Sequence, residues 1–424
     1  MTLAIFGGQP VINYEAKPYN TIGVEETQAA LQVLESGNLS QFLAAWHPDF
    51  YGGPRIREFE TAVAKHFSVR HALTVNSWTS GLIAAVGAIG IEPGDEVIVT
   101  PFTMAASATA ILHWNGIPVF ADIDPVTFCI DPSSVEKLIG PHTKAIMAVD
   151  IFGYPSDTRR LMEIARANGL KVVTDSAQAP GAMVDGKYAG TLADIGGFSL
   201  NYHKHIHTGE GGVVVTNDDD LAERVALIRN HAEAVIEGIG RSDLNNMLGH
   251  NFRMGEIEAA IGLTQLNKLE DLVISRVALA NRLTENLKHL PGLSVPQPPP
   301  TIRHAYYVYP MTIEPKVLGV DRDTLVEALN AEGIPGLSGG YTNIHLLPIF
   351  QKRIAYGNSG FPWSAYPARP ANGYEKGICP IAEKLHSETL MQLGMCSFDL
   401  TFSDIDAICF AFEKVWANLD LLRR

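Results

Sequence analysis

Basic side chains are in short supply in this 424-residue sequence: 32 lysines and arginines stand against 46 aspartates and glutamates, a formal net charge of −14. That deficit argues against nucleic acid as a partner, whose binding rests on clustered Lys and Arg neutralising phosphates. Cysteine is scarcer still. Cys129, Cys379, Cys396 and Cys409 lie far apart, without CxxC or other metal-ligand spacing, so neither a disulfide framework nor a metal site is expected. A reducing cytoplasm suits such a chain. Long hydrophobic runs are missing too. The longest, around Leu82 to Ile91, is about half of the roughly 20 residues a membrane helix needs and contains two glycines. Met1 to Pro10 shows neither the basic nor the apolar region of a secretory leader. What is there is a globular composition, 46% apolar, long enough for two or three domains and a large core.

From about Gly53 to Thr216, short β-rich runs alternate with amphipathic segments. Strands are predicted at Ala72–Val75, Glu96–Thr100, Pro118–Ala121, Lys144–Val149 and Lys171–Thr174, with helices such as Thr79–Ile89 and Asp157–Ala167 between them. Such repetition predicts an α/β fold with a mostly parallel sheet between helices. After Asn217 the pattern is mainly helical, with one long helix from Gly255 to about Leu287. Pro291-Gly and Pro296-Gln-Pro-Pro-Pro break it. The proline cluster is read as a junction between a large domain, residues 1–290, and a smaller C-terminal α/β domain, residues 291–424. Within the latter, Ser359 to Tyr374 is expected to be a long functional loop.

Three segments carry chemistry. Asp175, in Thr174-Asp-Ser-Ala-Gln178, lies just past a buried strand, where open α/β sheets place ligands. It could equally be a helix cap. Lys204, in Phe198-Ser-Leu-Asn-Tyr-His-Lys-His-Ile-His-Thr-Gly-Glu-Gly-Gly212, sits among aromatic and imidazole groups with no acid close by. Desolvation and neighbouring cations there would lower its pKa and expose a nucleophilic amine, as a Schiff-base lysine requires. Asn76-Ser-Trp-Thr-Ser-Gly81 joins a strand to a helix, and amides at that helix N-terminus could take a phosphate or simply be capped by Ser77 or Thr79. Together the three read as a pyridoxal phosphate site: a phosphate cup, an acid for the pyridinium nitrogen and a lysine for the aldehyde.

The order and wording resemble the fold-type I aminotransferases of the DegT/DnrJ/EryC1/StrS family over nearly the whole chain. The resemblance is carried by Gly7-Gly-Gln-Pro, Glu35-Ser-Gly, Gly94-Asp-Glu-Val-Ile-Val, Pro118-Val-Phe-Ala-Asp-Ile-Asp, Asp175-Ser-Ala-Gln-Ala and Asn251-Phe-Arg-Met-Gly-Glu-Ile-Glu. Its most specific part is Lys204 followed, after four residues, by Gly209-Glu-Gly-Gly. It implies pyridoxal 5′-phosphate held as an internal aldimine at Lys204, which also shuttles the substrate proton. Asp175 would bind the ring nitrogen and Gln178 approach the ring hydroxyl. Trp78, Thr79 and Ser199 would hold the phosphate, and Asn251 would reach it from the neighbouring subunit, implying a homodimer with shared sites. The expected reaction moves an amino group from glutamate or glutamine to a keto sugar, foremost a nucleotide-linked one. A keto-cyclitol acceptor, a sugar dehydratase with histidine in place of the lysine, and a non-catalytic cofactor-binding regulator are the alternatives.

Two departures stand out. Met104 occupies the position where the family usually stacks an aromatic residue on the cofactor ring. Trp78 replaces the usual phosphate-loop glycine, and its bulk is expected to line the substrate pocket. His203, His205 and His207 would share one face if their segment were extended, with Lys204 on the other, but no local carboxylate or cysteine completes a metal set. Tyr307 and Tyr309 alternate as in a strand, with Tyr306 facing the other way, so core packing is weighed equally with substrate contact.

Overall fold

The computed structural model describes residues 1–366 and 373–423. Apolar runs from the first half of the chain form a seven-stranded sheet. Its strands are β1 (His71–Val75), β2 (Glu96–Val99), β3 (Ile117–Phe120), β4 (Thr143–Val149), β5 (Lys171–Asp175), β6 (Ile195–Ser199) and β7 (Gly212–Thr216). The order across the sheet is β1-β7-β6-β5-β4-β2-β3. Only β7 runs against its neighbours, pairing antiparallel with both β1 and β6. All residues of β2, β3, β6 and β7 are buried, as expected where helices cover both faces of a parallel sheet.

The covering helices used below are α1 (Val24–Ser36), α2 (Pro54–Phe67), α3 (Trp78–Ala88), α4 (Ala106–His113), α5 (Thr158–Asn168) and α6 (Asp219–Arg229). Each α/β connection is set by local chemistry. Ser77 caps α3 by accepting the Ser80 amide at 3.1 Å, and Asp157 caps α5 through the Arg160 amide at 3.1 Å. A 32-residue helix, α7 (Glu256–Leu287), follows, about 48 Å long at 1.5 Å per residue. Its buried positions recur at helical spacing, from Ala259, Gly262 and Leu266 to Leu283 and Leu287, and it packs on α1 and α2.

From Pro291 onward the chain forms a second, antiparallel sheet of β8 (Leu293–Ser294), β9 (Tyr309–Ile313), β10 (Leu337–Gly339) and β11 (Leu390–Leu393), ordered β8-β9-β11-β10. Helix α8 (Arg322–Ala331) packs on it, and α9 (Phe402–Trp416) packs on α8 and on α7. Of the expected loop from Ser359 to Tyr374, residues 367–372 lie outside the described residues. Leu3 and Ile12 join the core of this second unit. Glu332 fastens them there: its carboxylate accepts the Ala4 amide at 2.8 Å and the Val11 amide at 3.1 Å. Lys414 closes the cluster with a 2.8 Å ion pair to Glu332, the two side chains being 4% and 0% exposed.

Removing one partner of so buried a pair leaves the other charge uncompensated. Glu332→Ala should therefore destabilise the protein by about 3–5 kcal/mol in urea unfolding and free the N-terminal segment to proteases. A loss below about 1 kcal/mol would show that the segment is not held by this carboxylate.

Candidate active site

The three chemical segments meet because β1, β5 and β6 point the same way and end on one edge of the sheet. Asp175 is the last residue of β5, α3 begins three residues after β1, and Lys204 sits on the turns after β6. A cavity of about 310 Å³ opens there, the position at which open α/β sheets carry ligands. Trp78, Thr79, Met104, Asp175, Gln178, Ser199 and Lys204 all line it. Asn251 does not: it is exposed, its Oδ1 accepting from Arg253 Nε at 2.8 Å.

Lys204 is 7% exposed and has no ion pair among the described residues. Its Nζ lies 4.4 Å from the centre of the Tyr307 ring. Burial disfavours the ammonium, and the more distant Asp175 and Cys396 offset this only in part, so its pKa falls to about 8. His203, also lining the cavity, is pushed down to about 4 by burial and by the Lys204 charge. Asp175 is 4% exposed and richly bonded. Its Oδ1 accepts the Trp78 indole N–H at 2.7 Å and the Ala177 amide at 3.2 Å; its Oδ2 accepts the Ser107 hydroxyl at 2.7 Å. Gln178 spends its Oε1 on the Phe152 amide at 2.7 Å.

Several expectations need correction. Trp78 lines the cavity, but its indole is 5% exposed and turned onto Asp175. The histidine segment is not extended, because residues 202–206 form turns and bends. His205 is fully buried and pairs with the Ala305 carbonyl at 2.9 Å, whereas His203 reaches the cavity. The alternation at the tyrosines fails because Tyr306 has φ +51°. Tyr306 and Tyr309 thus share one apolar cluster, and Tyr307 faces Lys204. Met104 is 66% exposed and stands between this cavity and a neighbouring one of about 400 Å³. Sequence reading missed Ser107 and Tyr341. Nothing marks Ser107 among the small residues of α4; Tyr341, after Gly339-Gly340, carried a turn signal that could have found it.

Among the described residues, no group of three His, Cys, Asp or Glu could hold a metal, and no helix is long and apolar enough to cross a membrane. The residues present do fit pyridoxal phosphate. A carboxylate has about four acceptor positions, and Asp175 has three of them filled. The cavity also offers an unpaired buried lysine, the N-terminal turn of α3, and the hydroxyls of Thr79 and Ser199.

Comparison with known proteins places the fold in the same class, the fold-type I pyridoxal phosphate-dependent aminotransferases. A crystal structure of DesI in the presence of its TDP-sugar product matches with TM-score 0.80 at 28% identity, covering 99% of this chain and 97% of that one. The chain belongs to the DegT/DnrJ/EryC1/StrS aminotransferase family, whose profile matches residues 21–371. GDP-perosamine synthase of Caulobacter vibrioides is 38% identical over 283 residues, 66% of this chain and 75% of that protein. L-glutamine:scyllo-inosose aminotransferase of Streptomyces griseus is 33% identical over 338 residues, 78% and 79% of the two chains. The protein is thus a pyridoxal phosphate-dependent aminotransferase.

Because burial lowers the Lys204 pKa, its neutral amine should appear at lower pH than that of any exposed lysine. Amine-specific labelling of the cofactor-free protein, read residue by residue, should give Lys204 a midpoint near the value of about 8 stated above. A midpoint equal to that of the exposed lysines would refute this environment.

Proposed function

We propose that Lys204 holds pyridoxal phosphate and that the protein moves an amino group from glutamate or glutamine to a keto sugar. The single observation that carries this reading is the convergence of buried Lys204 and buried Asp175 on one cavity at the mouth of α3. Bound pyridoxal phosphate supplies an electron sink for the charge released at the substrate carbon. The chain's own groups do the rest. Lys204 would hold the cofactor's aldehyde group through Nζ and, as a neutral amine, would carry the proton taken from the substrate carbon. Asp175 keeps the proton on the ring nitrogen. Backbone amides of Trp78 and Thr79, with the Thr79 and Ser199 hydroxyls, would hold the phosphate. Gln178 would approach the ring hydroxyl. Tyr307 and Tyr341, from the second unit, narrow the cavity and exclude water. A dehydratase needs histidine where Lys204 stands; His205, the neighbour after it, is buried against Ala305.

A second copy of the chain completes the site in this reading. Leu43 and Trp46 are exposed on one loop and Leu244 and Leu248 on another. A partner covering them would bring Asn251, and Arg253 bonded to it, to the other subunit's phosphate. That arginine is the cation a nucleotide-linked keto sugar would meet, and such a sugar is the acceptor we favour. A keto-cyclitol is the second reading, supported by the two cavities: the described residues that line them include no arginine and no lysine other than Lys204.

Glutamate or glutamine should convert the visible absorption of the cofactor-loaded protein to that of the amine form, and a keto acceptor should restore it. Screening nucleotide-linked keto sugars beside keto-cyclitols identifies the acceptor. Lys204→Ala should lower turnover at least ~10³-fold with the cofactor still bound. A spectrum indifferent to every amino donor would defeat the reading.

A further inference from the structure

Trp78 occupies a position where the phosphate loop of the family usually has glycine, and the structure has made room for it. A Cβ on Gly81 would lie 2.6 Å from Cε3 of the indole, and one on Gly197 would lie 2.3 Å from Cζ3. Neither glycine has a positive φ; a Cβ on Gly197 would also meet the Val213 carbonyl oxygen at 2.1 Å, whereas at Gly81 the nearest atoms are those of the ring, so it is Gly81 whose bareness answers to the indole. Glycine within a helix or a strand is unfavourable, and here α3 and β6 each carry one facing the same ring. The two form a slot between α3 and β6. In it the indole is buried, with its one polar atom, Nε1, 2.7 Å from Asp175 Oδ1. The other carboxylate oxygen is held by Ser107 at 2.7 Å, and Ser107 in turn lies 3.1 Å from the Thr103 hydroxyl.

We propose that Trp78 is a positioning residue for the cofactor's acid: with Ser107 it locks the Asp175 carboxylate so that its one remaining acceptor position meets the ring nitrogen. Packing alone would not need the N–H, since a phenyl ring also fills an apolar slot. A buried donor aimed at a buried anion both fixes its orientation and favours its charged form. The proposal rests on the reading of Asp175 given under Proposed function, and the experiment separates the two.

Wild type, Trp78→Phe, Ser107→Ala and Asp175→Asn are compared in two measurements. The first is equilibrium binding of pyridoxal phosphate, together with the pH profile of the cofactor's visible band. Trp78→Phe, with unchanged circular dichroism, should bind the cofactor about tenfold more weakly, the loss expected for one hydrogen bond to a charged group. Its band should titrate at a shifted pH, and Ser107→Ala should shift it as well. Binding within twofold of wild type and an unmoved pH profile would overturn the proposal. The second measurement uses cofactor-free protein, so it stands even if Trp78→Phe fails to fold. The indole N–H resonance of Trp78 should move when Asp175 is replaced by Asn; a resonance that does not respond would overturn the proposal. If Asp175→Asn leaves cofactor affinity unchanged, the failure lies in the reading of Asp175 itself.

Discussion

An ammonium taken out of water without a carboxylate against it is the constraint on which the site depends. Lys204 is buried beside a tyrosine face, and the acid whose charge reaches it, Asp175, is already held by an indole, a hydroxyl and an amide. Were the two joined in a tight ion pair, the lysine would stay protonated and the acid would be spent. Keeping them apart leaves the amine able to become neutral and the carboxylate able to meet a cationic ring. The acidity of the whole chain makes this local arrangement more telling. A net charge of −14 repels a phosphorylated ligand, so local amides, hydroxyls and a few cations must overcome an unfavourable background.

The fold serves that separation. Three parallel strand ends present Trp78, Asp175 and Lys204 on one edge, and the antiparallel β7 ties β1 to β6, so that the turn before α3 and the lysine turn are neighbours. Tyr307 and Tyr341 come from beyond the proline cluster, so the cavity lies where the two halves of the chain meet. Docking of the first residues through Glu332 and Lys414 ties the N-terminus to the later half as well. Met104, exposed between the two cavities, leaves an open face where an aromatic ring is usual in the family.

Much of this was legible in the sequence because its cause is local. Strands buried on both faces read as unbroken apolar runs, and predicted boundaries such as Lys144–Val149 fall within a residue of the observed Thr143–Val149. The cap at Ser77 and the periodicity of α7 place those helices the same way. What stayed hidden depends on distance or on single torsions. Ser107 meets Asp175 across 68 positions, and no pattern around a small hydroxyl announces that. The left-handed torsion at Tyr306 turns Tyr307 toward the lysine against the strand alternation. Trp78 was recognised as out of place, but its direction is written in Gly81 and Gly197, which only the folded chain brings to the same ring.

The claim that this lysine carries the cofactor is tested most directly by fixing the cofactor in place. Borohydride reduction of the loaded protein followed by peptide mass spectrometry should find pyridoxyl phosphate on Lys204 alone. Label on any other lysine, or none after reduction of a protein that visibly holds the cofactor, would contradict the account.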